Sequence, residues 1–431
     1  MKHSGLPSAL FIRNRFKLAG HLNKGSIVIL SSNKQMPRNA DQYYEFRQSS
    51  DFYYLTGITQ VGSLLVLFPD HPNSEFREML FLTQPTEKGE KWEGPGLLKE
   101  RAAEMSGIKN VRWTSEFDKI NDKLISESQY IYYNSVEKNE LATGYQSYGR
   151  QLRESIQQKF PSLEEKPLGQ IFQRLRMIKE LEEIDIIKQS ATITEKAFRS
   201  VLKELKPGMR GYEIEAIIAY EFLRNGAEGP AFESIVANGT NALILHYVEN
   251  TGMCKDGELL LLDIGADLAY YASDCSRTIP VNGKFSKRQK ELYLANLRVL
   301  RQAMSLMTVG TKMADFNMEV CQLLEEEHIN LGLYTLSEAK SQDKDNPLWK
   351  QYYWHGTSHS IGIDVHDPMD KELPFLPGMI LSCEPGIYVR EEGMGLRLEN
   401  DILITEGGPV DLTANIPIEL EEIEGLMNSK D

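Results

Sequence analysis

The segment ELLLLDIGADLAYYASDCSRTI, residues 258–279, decides the reading of this chain. Two runs rich in β-formers are joined by a short polar stretch, so it reads as paired strands, Glu258–Ile264 and Ala269–Ile279, turning at Gly265–Asp267. Asp263 ends the run of four leucines and Asp274 follows Tyr-Tyr-Ala-Ser. If the hairpin closes, both carboxylates point at one spot. An anionic carboxylate in apolar surroundings is costly, and several together are worse unless a cation or a proton neutralises them.

The theme recurs downstream. Glu384 stands in Leu-Ser-Cys-Glu-Pro-Gly and Glu399 in Leu-Arg-Leu-Glu-Asn-Asp, within strands expected over Met379–Arg390 and Leu396–Thr405, and His359 in His-Gly-Thr-Ser-His adds a nitrogen ligand. Four carboxylates carry about −4, which two divalent ions balance. Oxygen-rich ligation with one imidazole favours manganese, with cobalt, iron or zinc as substitutes. Cys275 and Cys383 each neighbour one of these acids, so strand alternation turns their sulfurs to the opposite face, as bystanders. Taken singly, each acid is an ordinary solvated turn residue and a lone histidine a surface or core residue. The glycines of Gly393–Gly395 lack the strand–loop–helix setting of a phosphate cradle.

Around these strands lie amphipathic helices. From Arg174 to Leu202 apolar side chains recur with helical period at Ile184, Ile187, Ala191, Thr194, Phe198 and Val201, ending at Pro207-Gly208. A second helix is expected over Tyr212–Arg224. A third opens at Ser286, whose spacing to Gln289 is that of a capping box, and runs to about Leu306; a fourth covers Met313–Glu327. Helices on a largely hairpin-connected sheet make residues 171–431 an α+β domain. Residues 1–170 alternate short apolar runs (Ile27–Leu30, Leu64–Phe68, Met79–Thr83, Tyr130–Tyr133) with helical stretches, an α/β pattern, and Phe160–Gly169 reads as the linker. Two domains also suit the length of 431 residues.

Bulk properties narrow the partners. With Lys+Arg 48 against Asp+Glu 62, the formal charge is −14, and no dense basic run offers a phosphate backbone a footing. Nucleic acid is excluded as a partner. No stretch approaches the ~18 apolar residues of a membrane span, and the N-terminal MKHSGLPSALFIRNRFKLAG lacks an apolar signal core. Four scattered cysteines without a CxxC pair suit a reducing compartment, so a cytoplasmic protein is expected and the sequon Asn238-Gly239-Thr240 is a chance match.

These blocks, in this order, resemble the proline-specific branch of the metallopeptidase family that includes methionine aminopeptidase, aminopeptidase P and prolidase. The likeness rests on LeuAspIleGlyAla (262–266), SerAspCysSerArgThr (273–278), HisGlyThrSerHis with GlyIleAspValHis (355–366), GluProGlyIleTyr (384–388) and GlyLeuArgLeuGluAsnAsp (395–401), and on the eleven residues from Asp263 to Asp274. It implies a pita-bread catalytic domain, of the creatinase and methionine aminopeptidase type. It also implies a metal set of Asp263, Asp274, His359, Glu384 and Glu399, with Asp274 and Glu399 bridging two ions. Glu384 is implied as the proton acceptor, with His246, His355 and His366 as substrate-handling imidazoles and Arg397 and Tyr388 orienting the carboxylates. For all three histidines, and most for His355, plain packing is the alternative.

PheArgGlnSerSerAspPheTyrTyrLeuThrGly (46–57) resembles the amino domain of aminopeptidase P and prolidase, which methionine aminopeptidases lack, and HisTyrValGluAsn (246–250) looks more like aminopeptidase P. The resemblance thus implies release of the N-terminal residue from peptides with proline second, by a homo-oligomer, dimer or tetramer. The alternatives are a prolidase acting on Xaa-Pro dipeptides, a creatinase-like hydrolase that needs no metal, and a non-catalytic pita-bread binding module. Two segments depart from the pattern: about fifteen residues separate Glu384 from Glu399 where relatives carry a longer loop, and Leu331–Lys350 is extended. Trp92 reads either as an amino-domain aromatic reaching a neighbouring subunit's site or as a core tryptophan.

Overall fold

The strand Ser26–Ser31 is buried at every position, as its unbroken Ile-Val-Ile-Leu sequence demands of a strand covered on both faces. It lies inside a six-stranded mixed sheet that runs, edge to edge, Asn110–Trp113, Glu78–Leu82, Leu64–Leu67, Ser26–Ser31, Tyr130–Tyr133 and Glu164–Pro167. Parallel neighbours need crossovers, and the helices Lys99–Ser106 and Tyr148–Lys159 supply two of them. Ile27, Ile29, Val66, Phe81 and Ile131 pack on one face with Phe117, Leu124 and Ile125 of the helix Phe117–Glu127. The computed structural model describes residues 5–133 and 146–429. The sheet belongs to the first of two units into which the chain divides, Gly5–Leu175; the second begins at Arg176.

The expected linker is not one. Glu164–Pro167, within Phe160–Gly169, pairs in parallel with Tyr130–Tyr133 and forms an edge of the sheet. Its Glu-Glu-Lys-Pro sequence carries no apolar alternation because an edge strand with charged side chains and a terminal proline buries little.

The expected helix Arg174–Leu202 is two helices, Gly169–Arg176, which closes the first unit, and Leu181–Glu204, which belongs to the second. Glu180 is extended, and its N–H donates to Glu183 Oε2 at 2.8 Å, so the second helix starts afresh there. All six expected apolar positions of Leu181–Glu204 are buried. Gly211–Arg224, Lys287–Leu306 and Met313–Asn330 follow as read, and Ser286 Oγ accepts the Gln289 N–H while Gln289 returns the bond. Within Leu331–Lys350 the chain adds the short helix Leu336–Ser341.

The strands of this unit pair antiparallel throughout the described residues. Leu259–Ile264 pairs with Cys275–Pro280, setting Asp263 opposite Ser276. The turn does not fall at Gly265–Asp267: Ala266–Leu268 is a strand of its own and pairs with Tyr271–Ala272. Ala269 and Tyr270 make the turn with φ of 50° and 72°, a left-handed conformation that gave no glycine signal in the sequence. Gly265 has a different reason to be glycine, since a Cβ there would lie 1.8 Å from the Ser273 carbonyl oxygen. Ser190 and Thr194 on the long helix fasten this hairpin: Ser190 Oγ donates to Ala266 O at 2.6 Å and Thr194 Oγ1 meets Ser273 Oγ at 2.8 Å.

The last two expected strands are each interrupted. Ile380–Cys383 pairs with Asn400–Thr405, with Cys383 opposite Asn400, and Gly386–Val389 pairs with Met394–Arg397, with Gly386 opposite Arg397. Glu384-Pro385 therefore faces Leu398-Glu399 across a gap between two ladders. Proline has no N–H to continue the ladder, which makes the gap a property of the sequence.

Candidate metal centre

Asp274, Glu384 and Glu399 sit at the ends of backbone ladders, each with its own N–H already satisfied, whereas Asp263 lies within the Leu259–Ile264 ladder. The Asp274 N–H donates to Asp401 Oδ2 at 3.0 Å, the Glu384 N–H to Thr357 O at 2.9 Å, and the Glu399 N–H to Ser276 O at 3.0 Å. The side chains are thus left to converge. His359 Nε2 lies 3.5 Å from Asp274 Oδ2, 3.7 Å from Glu384 Oε1 and 4.0 Å from Glu399 Oε1. Asp274, His359 and Glu399 each offer an atom within 4.8 Å of the others. Asp263 lines the same cleft, and Arg397 Nη2 donates to its Oδ2 at 2.6 Å.

The His359 ring has a defined proton. Its Nδ1 is 3.2 Å from the Ser360 carbonyl, which can only accept, so Nδ1 carries the hydrogen and Nε2 turns a lone pair towards the acids. Burial, reinforced by neighbouring His366, pushes its pKa down to about 3, so the ring is neutral. The carboxyls move the other way. Burial raises Asp274 well above the usual range, with Glu399 and Asp263 adding repulsion, and it raises Glu399 likewise, with Glu384 and Asp263 adding. Burial also pushes Glu384 up to about 8 against the pull of Arg397.

These residues fit divalent cations. A lone pair and three carboxylate oxygens face one another with no donor among them, and Oδ1 of both Asp263 and Asp274 is buried without a hydrogen-bond partner. Atoms ~2.1 Å from a shared ion stand roughly 3 Å apart at right angles, close to the spacings found here. Cys275 and Cys383 do not line the cleft.

Behind the acids runs a hydrogen-bonded frame. The buried Arg397 donates from Nε to Ser276 Oγ at 2.9 Å and from Nη1 to Tyr388 Oη at 3.2 Å, while Ser276 Oγ donates to Glu399 Oε2 at 2.8 Å. Tyr388 Oη is 2.7 Å from His355 Nε2, and His355 Nδ1 is 2.8 Å from Gly356 O, so both ring nitrogens of His355 are engaged by the protein. Arg277, also buried, donates to the carbonyls of Ser276, Glu399, Ile416 and Pro417. Sequence reading missed Ser276, Arg277 and Asp401; their only signal was a polar residue at a strand position flanked by apolar ones.

The cleft encloses about 570 Å³. It is lined by the five expected ligands, by His246, His355 and His366, and by apolar Phe232, Ile235, Leu245, Val248 and Val365. The rings of His359 and His366 lie 4.3 Å apart. The sequon residue Asn238 is buried and donates its amide to Met253 O at 2.7 Å, so its side chain is committed to the fold.

A buried cage of acids and one imidazole at the breaks of an antiparallel sheet defines a class, and the chain belongs to metallopeptidase family M24, which matches residues 185–406. Residues 11–132 match the aminopeptidase P N-terminal domain. Among curated proteins, the Xaa-Pro aminopeptidase of Haemophilus influenzae is 33% identical over 98% of each chain, and that of Escherichia coli 32% identical over 97% of each. A solved structure of zinc-substituted Escherichia coli aminopeptidase P with product superimposes with a TM-score of 0.89 at 30% identity, covering 98% of this chain and 99% of that one. The pita-bread catalytic domain and the amino-terminal domain implied by the sequence are both present.

Proposed function

We infer that this chain is a metal-dependent aminopeptidase that releases the N-terminal residue from peptides with proline in the second position. The observation that carries this is the joint presence of the acid cage and an amino-terminal unit of the aminopeptidase P type on one chain. Asp263, Asp274, His359, Glu384 and Glu399 are the residues that hold two divalent ions. Manganese is the favoured occupant on the oxygen-rich donor set, with cobalt, iron or zinc able to replace it. When bound, the ions supply Lewis acidity and an activated water.

The chain's own residues do the rest. Glu384 takes up a proton and delivers it to the departing prolyl nitrogen. His366 and His246, both exposed at the cleft, donate hydrogen bonds to the tetrahedral oxyanion. His355 acts through Tyr388 and lies 3.7 Å from Glu384 Oε2. Proline's imide nitrogen has no hydrogen to read, so the apolar wall of Phe232, Leu245 and Val248 selects by ring shape.

Trp92 is 81% exposed, which overturns the core reading and leaves it available to a second copy of the chain, in keeping with a dimer or tetramer. Four free cysteines support a cytoplasmic setting, and among the described residues no helix is long and apolar enough to cross a membrane. The test is hydrolysis of Xaa-Pro dipeptides and Xaa-Pro-Yaa tripeptides with added manganese. Both the tripeptide cleavage and its loss in Asp274→Ala are expected; cleavage confined to dipeptides would make the chain a prolidase.

A further inference from the structure

His359 immediately precedes an eight-residue loop, Ser360–Asp367, that carries His366 near its far end and is pinned by a buried charge cluster. Asp367 Oδ1 accepts from Arg176 Nη2 at 2.6 Å and from the Asp364 N–H at 3.1 Å, and Oδ2 accepts from Lys179 Nζ at 3.3 Å. Arg176, Lys179 and Asp367 are all buried. The same Lys179 Nζ donates to Ser360 Oγ at 3.2 Å, and Arg176 Nη2 reaches Asp364 Oδ2 at 2.7 Å. The acceptors Ser360, Asp364 and Asp367 all lie on this loop.

The loop's ends are joined as well. The Asp367 N–H donates to Ser360 O at 2.8 Å, and that carbonyl is the one holding the Nδ1 hydrogen of His359. Gly362 leaves room for the Asp367 carboxylate, since a Cβ there would meet Asp367 Cγ at 2.6 Å. Lys179 is itself fixed through its N–H to Gly378 O at 2.9 Å. Well-packed apolar side chains often serve stability as well as a buried ion cluster does, whereas charge pairs impose one geometry on what they hold.

We propose that Asp367, clamped between Arg176 and Lys179, is a positioning residue that fixes the separation of His359 from His366 and aims His359 Nε2 at Asp274. The proposal rests on His359 being a metal ligand. Removing the charge at Asp367 leaves the loop ends tied only by the Asp367 N–H to Ser360 O, and the loosened ligand then pays an ordering cost on each binding event. The remote origin of the clamp, at the start of the unit's first long helix, couples that helix to the ligand.

The test compares full-length wild type, Asp367→Asn and, as a destabilised control away from the loop, His328→Phe. Manganese affinity is read by competition with a fluorescent chelator, and ligand geometry by the visible spectrum of the cobalt-loaded protein. Asp367→Asn is expected to bind manganese about tenfold more weakly or worse, to alter the cobalt spectrum, and to lose kcat with little change in KM. His328→Phe should change none of these. A folded Asp367→Asn with wild-type manganese affinity and a superimposable cobalt spectrum overturns the proposal, whatever its melting temperature. If that variant does not fold, Lys179→Met, which leaves Asp367 with Arg176, is judged by the same two criteria. Wild type binding neither metal would sink the metallopeptidase reading instead.

Discussion

Arg397 and Asp263 form an ion pair at 2.6 Å inside the cleft wall, and the same guanidinium reaches Ser276 and Tyr388 with its other nitrogens. Lysine keeps the charge but has no planar fork to serve three partners. Arg397→Lys should therefore lower stability by about 2 kcal/mol and kcat/KM by at least tenfold, measured by thermal unfolding and steady-state hydrolysis. Arg397→Met, which strands Asp263, should be worse on both.

Gly265 separates the strand bearing Asp263 from the one leading to Asp274. Its missing Cβ would strike the Ser273 carbonyl at 1.8 Å and the Phe232 ring at 3.0 Å, neither of which can swing away cheaply. Gly265→Ala should cost about 3 kcal/mol or more, a fall of roughly 10 °C in Tm. An unchanged melting curve would mean that the hairpin is more pliant than its packing shows.

Metal removal should reverse the pH dependence of stability. Without ions the Glu384 carboxyl is raised by burial to about 8, above its value in the unfolded chain, so the folded state holds the extra proton between those limits. Its contribution is complete at low pH and is lost as pH rises through about 8. A chelated sample should thus melt lower at pH 8 than at pH 6, and the gain on adding manganese should grow over the same interval. Calorimetry with and without chelator checks both slopes.

His328 is fully buried, its Nδ1 3.3 Å from Tyr334 Oη and its Nε2 without a partner. Burial pushes its pKa down to about 3, below that of the unfolded chain. The unfolded state then takes the proton first as pH falls, so stability present above about 6.5 is lost progressively towards 3. His328→Phe should flatten this acid limb in melting curves taken from pH 7 to pH 4 without affecting hydrolysis at pH 7.5.

The site was legible because carboxylates in apolar strands demand an explanation. Asp263, Asp274, Glu384, Glu399 and His359 line one cleft, as their settings in sequence suggested. The supporting residues were not legible: Ser276 and Arg277 are ordinary residues in any strand, and only the structure shows them bonded to Glu399. Helix positions such as Phe198 and Val201 follow from period alone. The breaks at Met177–Glu180 and at Pro385 were missed because apolar patterning continues across them, and it is only the regular helix or ladder bonding that stops. Glu164–Pro167 escaped notice for the opposite reason, as a strand without apolar character.

The gap between the two ladders, where Glu384 faces Glu399, also governs how the protein comes apart. A single backbone bond crosses it, from the Leu398 N–H to Pro385 O at 3.3 Å, and the proposed cation, gripped from both sides, would add a second tie. Loss of such an ion would leave that one amide bond to hold the seam, so fraying is expected to begin there while both flanking ladders stay zipped.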